Sequence, residues 1–264
     1  KTHAPPRSSV AAMAPPEPVT IRAHAKLTRS LRITGVRPDG YHLIDAEMVS
    51  LDLHDTLTIE PGRTGFAATG PFCAGVPLDD SNLVAKALHL AGRTARNTID
   101  KQIPHGGGLG GGSADAAAVL RWADHATTPA ALEAVSRLGA DIAFCLVGGR
   151  ARVRGIGEIV EPLAFVESTV TLVIPPLAVS TPAAYRAWDE LGGPIADGPN
   201  DLEPAALIVE PRLARWRDLI GDRTGRAPTL AGSGATWFTE GEHGNALADL
   251  VDEGATVVVA RTVP

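Results

Sequence analysis

The chain has only two cysteines in 264 residues, Cys73 and Cys145. They belong to no CxxC pattern, which argues against a disulfide framework or a zinc site. Cys145 sits inside the apolar stretch from Ile142 to Val147, where a buried, unreactive thiol is expected. The eight histidines show no HExxH spacing, so no preformed histidine metal site is expected. Basic charge is also short: 24 Lys and Arg stand against 30 Asp and Glu, a net charge of −6. A general attraction to nucleic acid or to an anionic membrane is therefore not expected. No apolar run approaches the roughly 18 residues of a membrane-spanning helix, and internal repeats are absent. What remains is a globular chain, read as cytoplasmic, with 44% apolar residues to build a core. Glycine (28) and proline (21) are plentiful, but below the roughly 25–30% of a disordered or collagen-like chain.

Residues 1–18 contain five prolines and no hydrophobic period, which predicts a disordered leader. Lys1 is not a natural start; Met13 would serve as one, with residues 1–12 then foreign to the native chain. No apolar core of a secretory signal is present. The globular pattern begins at Val19. Residues 19–23 and 30–34 alternate as strands should, Pro38-Asp39-Gly40 marks a turn, and 51–53 with 57–59 add strand material. Helices are predicted at 82–90 with Ser81 as N-cap, from Ala114 to about Ala123, and from Pro129 behind an N-capping Thr128. Glycines from 148 to 157 suggest a boundary, giving halves of residues 19–157 and 158–264. The second half reads as a strand at 170–174, helices around 182–192 and 200–219, and strands near 228–240 and 255–261. Strands and helices mixed without regular βαβ alternation predict an α+β fold.

The most informative stretch is Pro104-His105-Gly106-Gly107-Gly108-Leu109-Gly110-Gly111-Gly112-Ser113, running straight into an alanine-rich helix. Glycines let the backbone approach a ligand closely and adopt positive φ. A helix start then offers unpaired N–H groups and a favourable dipole, which together bind anions, phosphate above all. A flexible connector is the plainer alternative, and the helix that follows argues against it. The loop is not a P-loop, because Gly-Lys-Ser/Thr occurs nowhere. Gly106-x-Gly108-x-x-Gly111 fits the dinucleotide fingerprint formally, but Pro104 and His105 interrupt the strand that should feed it. Asp115 stands where a Gly-x-Ser-x-Gly elbow needs glycine, and the protein-kinase signatures are absent.

Residues 104–117 resemble the ATP loop of the small-molecule kinases acting on galactose, homoserine and mevalonate, the GHMP superfamily. Four further segments agree in order: Ala25-Lys26-Leu27 with residues 37–42; Ser81-Asn82-Leu83; Leu138-Gly139-Ala140-Asp141; and Gly232-Ser233-Gly234-Ala235-Thr236. Asp39-Gly40-Tyr41-His42 with Gly139-Ala140-Asp141 is similar to the branch whose alcohol substrate is CDP-methylerythritol. The resemblance implies a two-domain fold of mixed sheets and packed helices, with the active site in the cleft between the halves. It implies phosphoryl transfer from ATP with Mg²⁺ to the 2-hydroxyl of that substrate, by a monomer or homodimer.

The roles it implies follow residue by residue. Asp141 would accept the hydroxyl proton and Lys26 would assist it; without the family, each reads as half of a surface ion pair. Pro104, Gly106, Gly107, Gly108, Leu109, Gly110, Gly111, Gly112 and Ser113 would cradle ATP, with Asn82 and Lys101 beside the adenine and ribose. Asp115 is read as a first-turn carboxylate that favours the helix dipole, and the metal ligands stay unassigned. Tyr41 and Tyr185, the only tyrosines, would sandwich the cytosine while His42 reads its polar edge, with Thr181 and Pro182 lining the pocket. The chain departs from the family pattern at Thr28, usually Asn; at Met48, usually aromatic; and at Ala114, usually a second serine. His24 and Arg29 are also unusual neighbours for the lysine. Another superfamily kinase and a catalytically silent nucleotide-binding relative are the competing readings.

Overall fold

The structure, a computed structural model, describes residues 17–104 and 106–264. Residues 1–16, and with them the expected leader and its Met13, lie outside the described residues, as does His105. Two long antiparallel strands form the spine of the first half, β1 (Val19–Val36) and β2 (His42–Pro61). The sequence shows each as two short alternating runs. They are continuous because the pairing slips at three places, passing over Ala25 on β1 against residues 51–53 on β2, then Arg29, then Thr34. Each bulge breaks the alternation without breaking the strand, and re-aims the side chains beside it.

The first half continues through β3 (Phe66–Thr69), α1 (Leu83–Leu90), β4 (Ala95–Asp100), α2 (Gly111–Trp122), α3 (Pro129–Ser136), α4 (Ile142–Val147), β5 (Arg150–Gly155) and β6 (Ile159–Pro162). Helix α1 starts one residue later than expected. Asn82, not Ser81, is its N-cap and accepts from the Val84 amide, while Ser81 turns to Asp79. Strand β4 carries Ala95, Asn97 and Ile99 inward, too weak an apolar alternation to read from sequence. From Ala114 to Leu120 every residue of α2 is buried. Its small alanines let it lie close against β1, α1 and α4, and a helix covered on all sides needs no polar face.

The second half comprises β7 (Thr169–Ile174), α5 (Thr181–Glu190), α6 (Glu203–Val209), α7 (Leu213–Thr224), β8 (Thr229–Leu230), β9 (Trp237–Glu240), a 3₁₀ turn (Ala248–Val251) and β10 (Thr256–Val263). The single helix expected at 200–219 is two, because Glu210 before Pro211 takes an extended conformation (φ −136°, ψ 83°). The sheet runs β3-β4-β2-β10-β7-β9-β8, with β1 and β5 also on β2. Strand β10 thus joins the halves, pairing with β7 along its length and with β2 at Leu51 and Ser50. The β5–β6 hairpin straddles residue 157; a division that keeps it whole falls between Pro162 and Thr169. The fold is α+β, a mixed sheet with helices packed on it. Among the described residues no helix is long and apolar enough to cross a membrane.

Candidate active site

Lys26 and Asp141 meet in a cleft of about 650 Å³ whose walls come from both halves of the chain. Lys26 sits in the middle of β1, not at a strand end, with a bulge on either side. Its ammonium lies 3.3 Å from Asp141 Oδ2 and donates to Thr28 Oγ1 at 3.1 Å. Thr28, where the family pattern has Asn, therefore holds the lysine by its hydroxyl. Asp141 directly precedes α4 but makes no side-chain cap bond, so its carboxylate is left to face the lysine. Lys26 is 5% exposed, whereas the Asp141 side chain is 30% exposed. One partner is held and the other is open to the cleft.

The glycine loop closes over this pair. Leu109 carbonyl accepts from the Lys26 amide at 3.0 Å, and Gly107 carbonyl accepts from the Thr236 amide at 3.3 Å. A side chain at Gly110 would stand 2.7 Å from Lys26 Cγ, and one at Gly108 would stand 2.8 Å from the Ala231 carbonyl oxygen. Both glycines also have positive φ, +69° and +75°, so no other residue fits there without strain. The Gly232–Thr236 segment thus packs as a wall against the glycine loop, and Ser233 reaches Thr181 Oγ1 at 2.8 Å.

Helix α2 begins at Gly111, earlier than expected, because Gly111 and Gly112 join the helix. Its N-cap is Gly110 and no side chain caps it, so Ser113 lies within the first turn and is not the capping residue. The first amides of a helix without a side-chain cap are the donors an anion needs. Asp115 then falls in the second turn, where it is buried and bonded to Lys101 at 2.7 Å. This corrects its reading as a first-turn dipole partner.

Lys101, expected beside the nucleotide, is the other partner of that bond. It is 2% exposed and ion-paired to Asp55 and Asp115, so its ammonium lies behind the loop, 3.3 Å from where a Gly111 side chain would be. Asp55 Oδ1 also accepts from the Gln102 and Ile103 amides at 2.6 and 2.8 Å. The three charges fasten the chain leading into the loop. Burial pushes the Asp115 carboxyl up to about 7, against the pull of Lys101 and with Asp55 adding to the rise. Asn82 likewise serves the fold first, capping α1 and donating to the Pro77 carbonyl. Pro104 is buried at the loop's entry.

The same cleft is lined by Tyr41, His42, Met48, Thr181, Pro182 and Tyr185. Met48 lies opposite Thr28 in the β1–β2 ladder, so these two of the three departures from the family pattern face the same place. His42, not Tyr41, stacks on Tyr185, with ring centroids 4.5 Å apart; Tyr41 is 60% exposed. The expected tyrosine pair therefore lines one cleft, but the ring against Tyr185 is an imidazole. Burial pushes the Tyr185 phenol up to about 12, with the Asp141 charge adding to it. Asp189, Arg137 and Arg186 also line the cleft and were not foreseen. For Asp189 a signal existed, since Thr181, Tyr185 and Asp189 follow at four-residue spacing on one face of α5.

A model of the GHMP kinases N terminal domain matches residues 82–149. The 4-diphosphocytidyl-2-C-methyl-D-erythritol kinase of Paracoccus denitrificans is 42% identical over 235 residues, covering 82% of this chain and 84% of its own. The chain belongs to the 4-diphosphocytidyl-2-C-methyl-D-erythritol kinase family. A crystal structure of a 4-(cytidine 5′-diphospho)-2C-methyl-D-erythritol kinase superposes with a TM-score of 0.75 at 31% identity, covering 93% of this chain and all of that one. Homoserine kinase from Cytophaga hutchinsonii, at 16% identity and a TM-score of 0.63, shares the fold alone. As a CDP-methylerythritol kinase family member this chain is a small-molecule kinase of the GHMP type, as the glycine loop implied.

Proposed function

We propose that this chain transfers the γ-phosphoryl group of ATP to the 2-hydroxyl of 4-diphosphocytidyl-2-C-methyl-D-erythritol in non-mevalonate isoprenoid synthesis. The observation that carries the reading is the Lys26–Asp141 pair at 3.3 Å, set in the cleft beside the glycine loop. Phosphoryl transfer needs positioning, charge neutralisation and an acceptor for the hydroxyl proton. The α2 amides and the loop backbone hold the phosphates, and Asp141 receives the proton. Lys26, 3.3 Å away, fixes and orients that carboxylate. Tyr41, Tyr185 and His42 hold the cytosine, whose stacking on an aromatic face contributes about 1–3 kcal/mol. Residues from 19 to about 162 supply the ATP site and those beyond supply α5 and the Gly232–Thr236 wall.

Mg²⁺ bound to the triphosphate would neutralise its charge, and such an ion keeps few protein ligands. That fits a site where the described residues hold no cluster of three acidic, histidine or cysteine side chains. Ser113, in the first turn of α2, and Asp141 would be the oxygen donors that hold it. Both cysteines are free, which suits the reducing cytoplasm. The test is ADP release with Mg²⁺ and ATP against CDP-methylerythritol, homoserine and mevalonate. Turnover of the first alone is expected; equal turnover of homoserine or mevalonate overturns the assignment.

A further inference from the structure

We propose that Asp189 fixes the proton of His42 on Nε2, so that the Nδ1 lone pair faces the cleft and selects cytosine over uracil. The inference deepens the function proposed above and rests on it for the identity of the base. His42 Nε2 lies 2.8 Å from Asp189 Oδ1. An ionised carboxylate only accepts, so that nitrogen carries the hydrogen. In a neutral imidazole the other nitrogen is then an acceptor, set by the bond its partner makes.

The ring is oriented as well as protonated. One face stacks on Tyr185, and Trp188 meets it edge-on at 5.6 Å and 82°. Tyr185, Trp188 and Asp189 all belong to α5, so one helix fixes both the tautomer and the pose. His42 itself is anchored at the start of β2, opposite Val36. A rotation that exchanged the two nitrogens would give up the bond to Asp189.

Cytosine and uracil have nearly the same shape. They differ in that the first carries an amino donor where the second carries a carbonyl acceptor. A fixed lone pair accepts from the amino group and opposes the carbonyl. A site whose polar atom is satisfied by one isostere alone rejects the other. For one such bond the preference expected is on the order of ten- to a hundredfold in kcat/KM.

Two measurements test this. Nitrogen-15 NMR of the histidine-labelled protein at pH 8 reads the tautomer without substrate; His42 is expected to show a protonated Nε2 and a bare Nδ1. Turnover of CDP-methylerythritol against its uridine counterpart reads the selection. Asp189→Ala is expected to reduce the cytidine preference at least about fivefold through KM, while Asp189→Asn, whose amide oxygen still accepts from Nε2–H, keeps most of it. A proton on Nδ1 in the parent, or a full cytidine preference retained in Asp189→Ala, overturns the proposal. A parent with the expected tautomer and no base preference overturns the selection. The homoserine and mevalonate comparison judges the kinase assignment separately.

Discussion

An alcohol attacks a phosphoryl group only as its proton leaves, and the group that takes it must be held and open at once. In the base role proposed above, Asp141 meets both demands: its backbone directly precedes α4, its side chain forms no cap, and the buried Lys26 stands beside it. Asp141→Asn keeps the shape and removes the proton acceptor. General bases contribute about 10²–10⁴-fold, so kcat should fall by that range while ATP affinity, measured by calorimetry, changes little. Lys26→Met should lower kcat through the same carboxylate. The double variant should then be no slower than the slower single one, since groups acting as a unit are not additive. Multiplying effects in single-turnover assays would separate the two residues. This pair was legible in sequence only through family resemblance, because spacing says nothing about two residues 115 positions apart.

The glycine loop and α2 work as one element, and its glycines are not equivalent. Gly108 has φ +75° and would place a side chain 2.8 Å from the Ala231 carbonyl oxygen. Gly112 lies within α2, where a side chain would meet Leu83 Cδ1 at an ordinary 3.6 Å. Gly108→Ala should therefore lose about 1–3 kcal/mol from its backbone strain alone and raise the KM for ATP. Gly112→Ala should lose no stability and gain up to about 1 kcal/mol, as alanine replaces glycine in a helix. Urea unfolding of both variants distinguishes them; equal losses would mean that the loop tolerates no side chain anywhere. The loop was legible because glycine runs before a helix have a single strong physical reading. Strand β4 was not, since its inward positions include an asparagine and an alanine, and the bulges hid the true lengths of β1 and β2. The surroundings of Lys101 were not legible either, since in sequence a lysine near a glycine loop reads as a ligand. Only the fold shows that Asp55, 46 positions away, and Asp115 occupy its ammonium.

At the scale of the whole molecule, the two halves are held by β10 on β2 and by Asp201. That buried carboxylate accepts from Arg32 at 2.6 Å and from the Ile33 amide of β1 at 2.9 Å. The cleft between the halves is thus set by strand pairing and by a buried carboxylate paired with the partly exposed Arg32. Global stability also carries the charge state of Lys101, Asp55 and Asp115, which tie β2, the exit of β4 and α2 together. Two carboxylates around one ammonium leave an excess negative charge in the interior, and burial raises the Asp115 carboxyl to about 7. In the unfolded chain it titrates near the ordinary value of 3.8. Between those values the folded protein binds a proton that the unfolded chain does not. The contribution is fully present below the unfolded value and is lost as pH rises through about 7. Asp115→Asn is neutral at every pH and removes that slope. The urea midpoint of the parent should therefore fall between pH 4 and pH 7 relative to Asp115→Asn, and the two profiles should run parallel above about pH 8. Profiles parallel across the whole range would show that Asp115 is ionised throughout and that Lys101 alone neutralises both carboxylates.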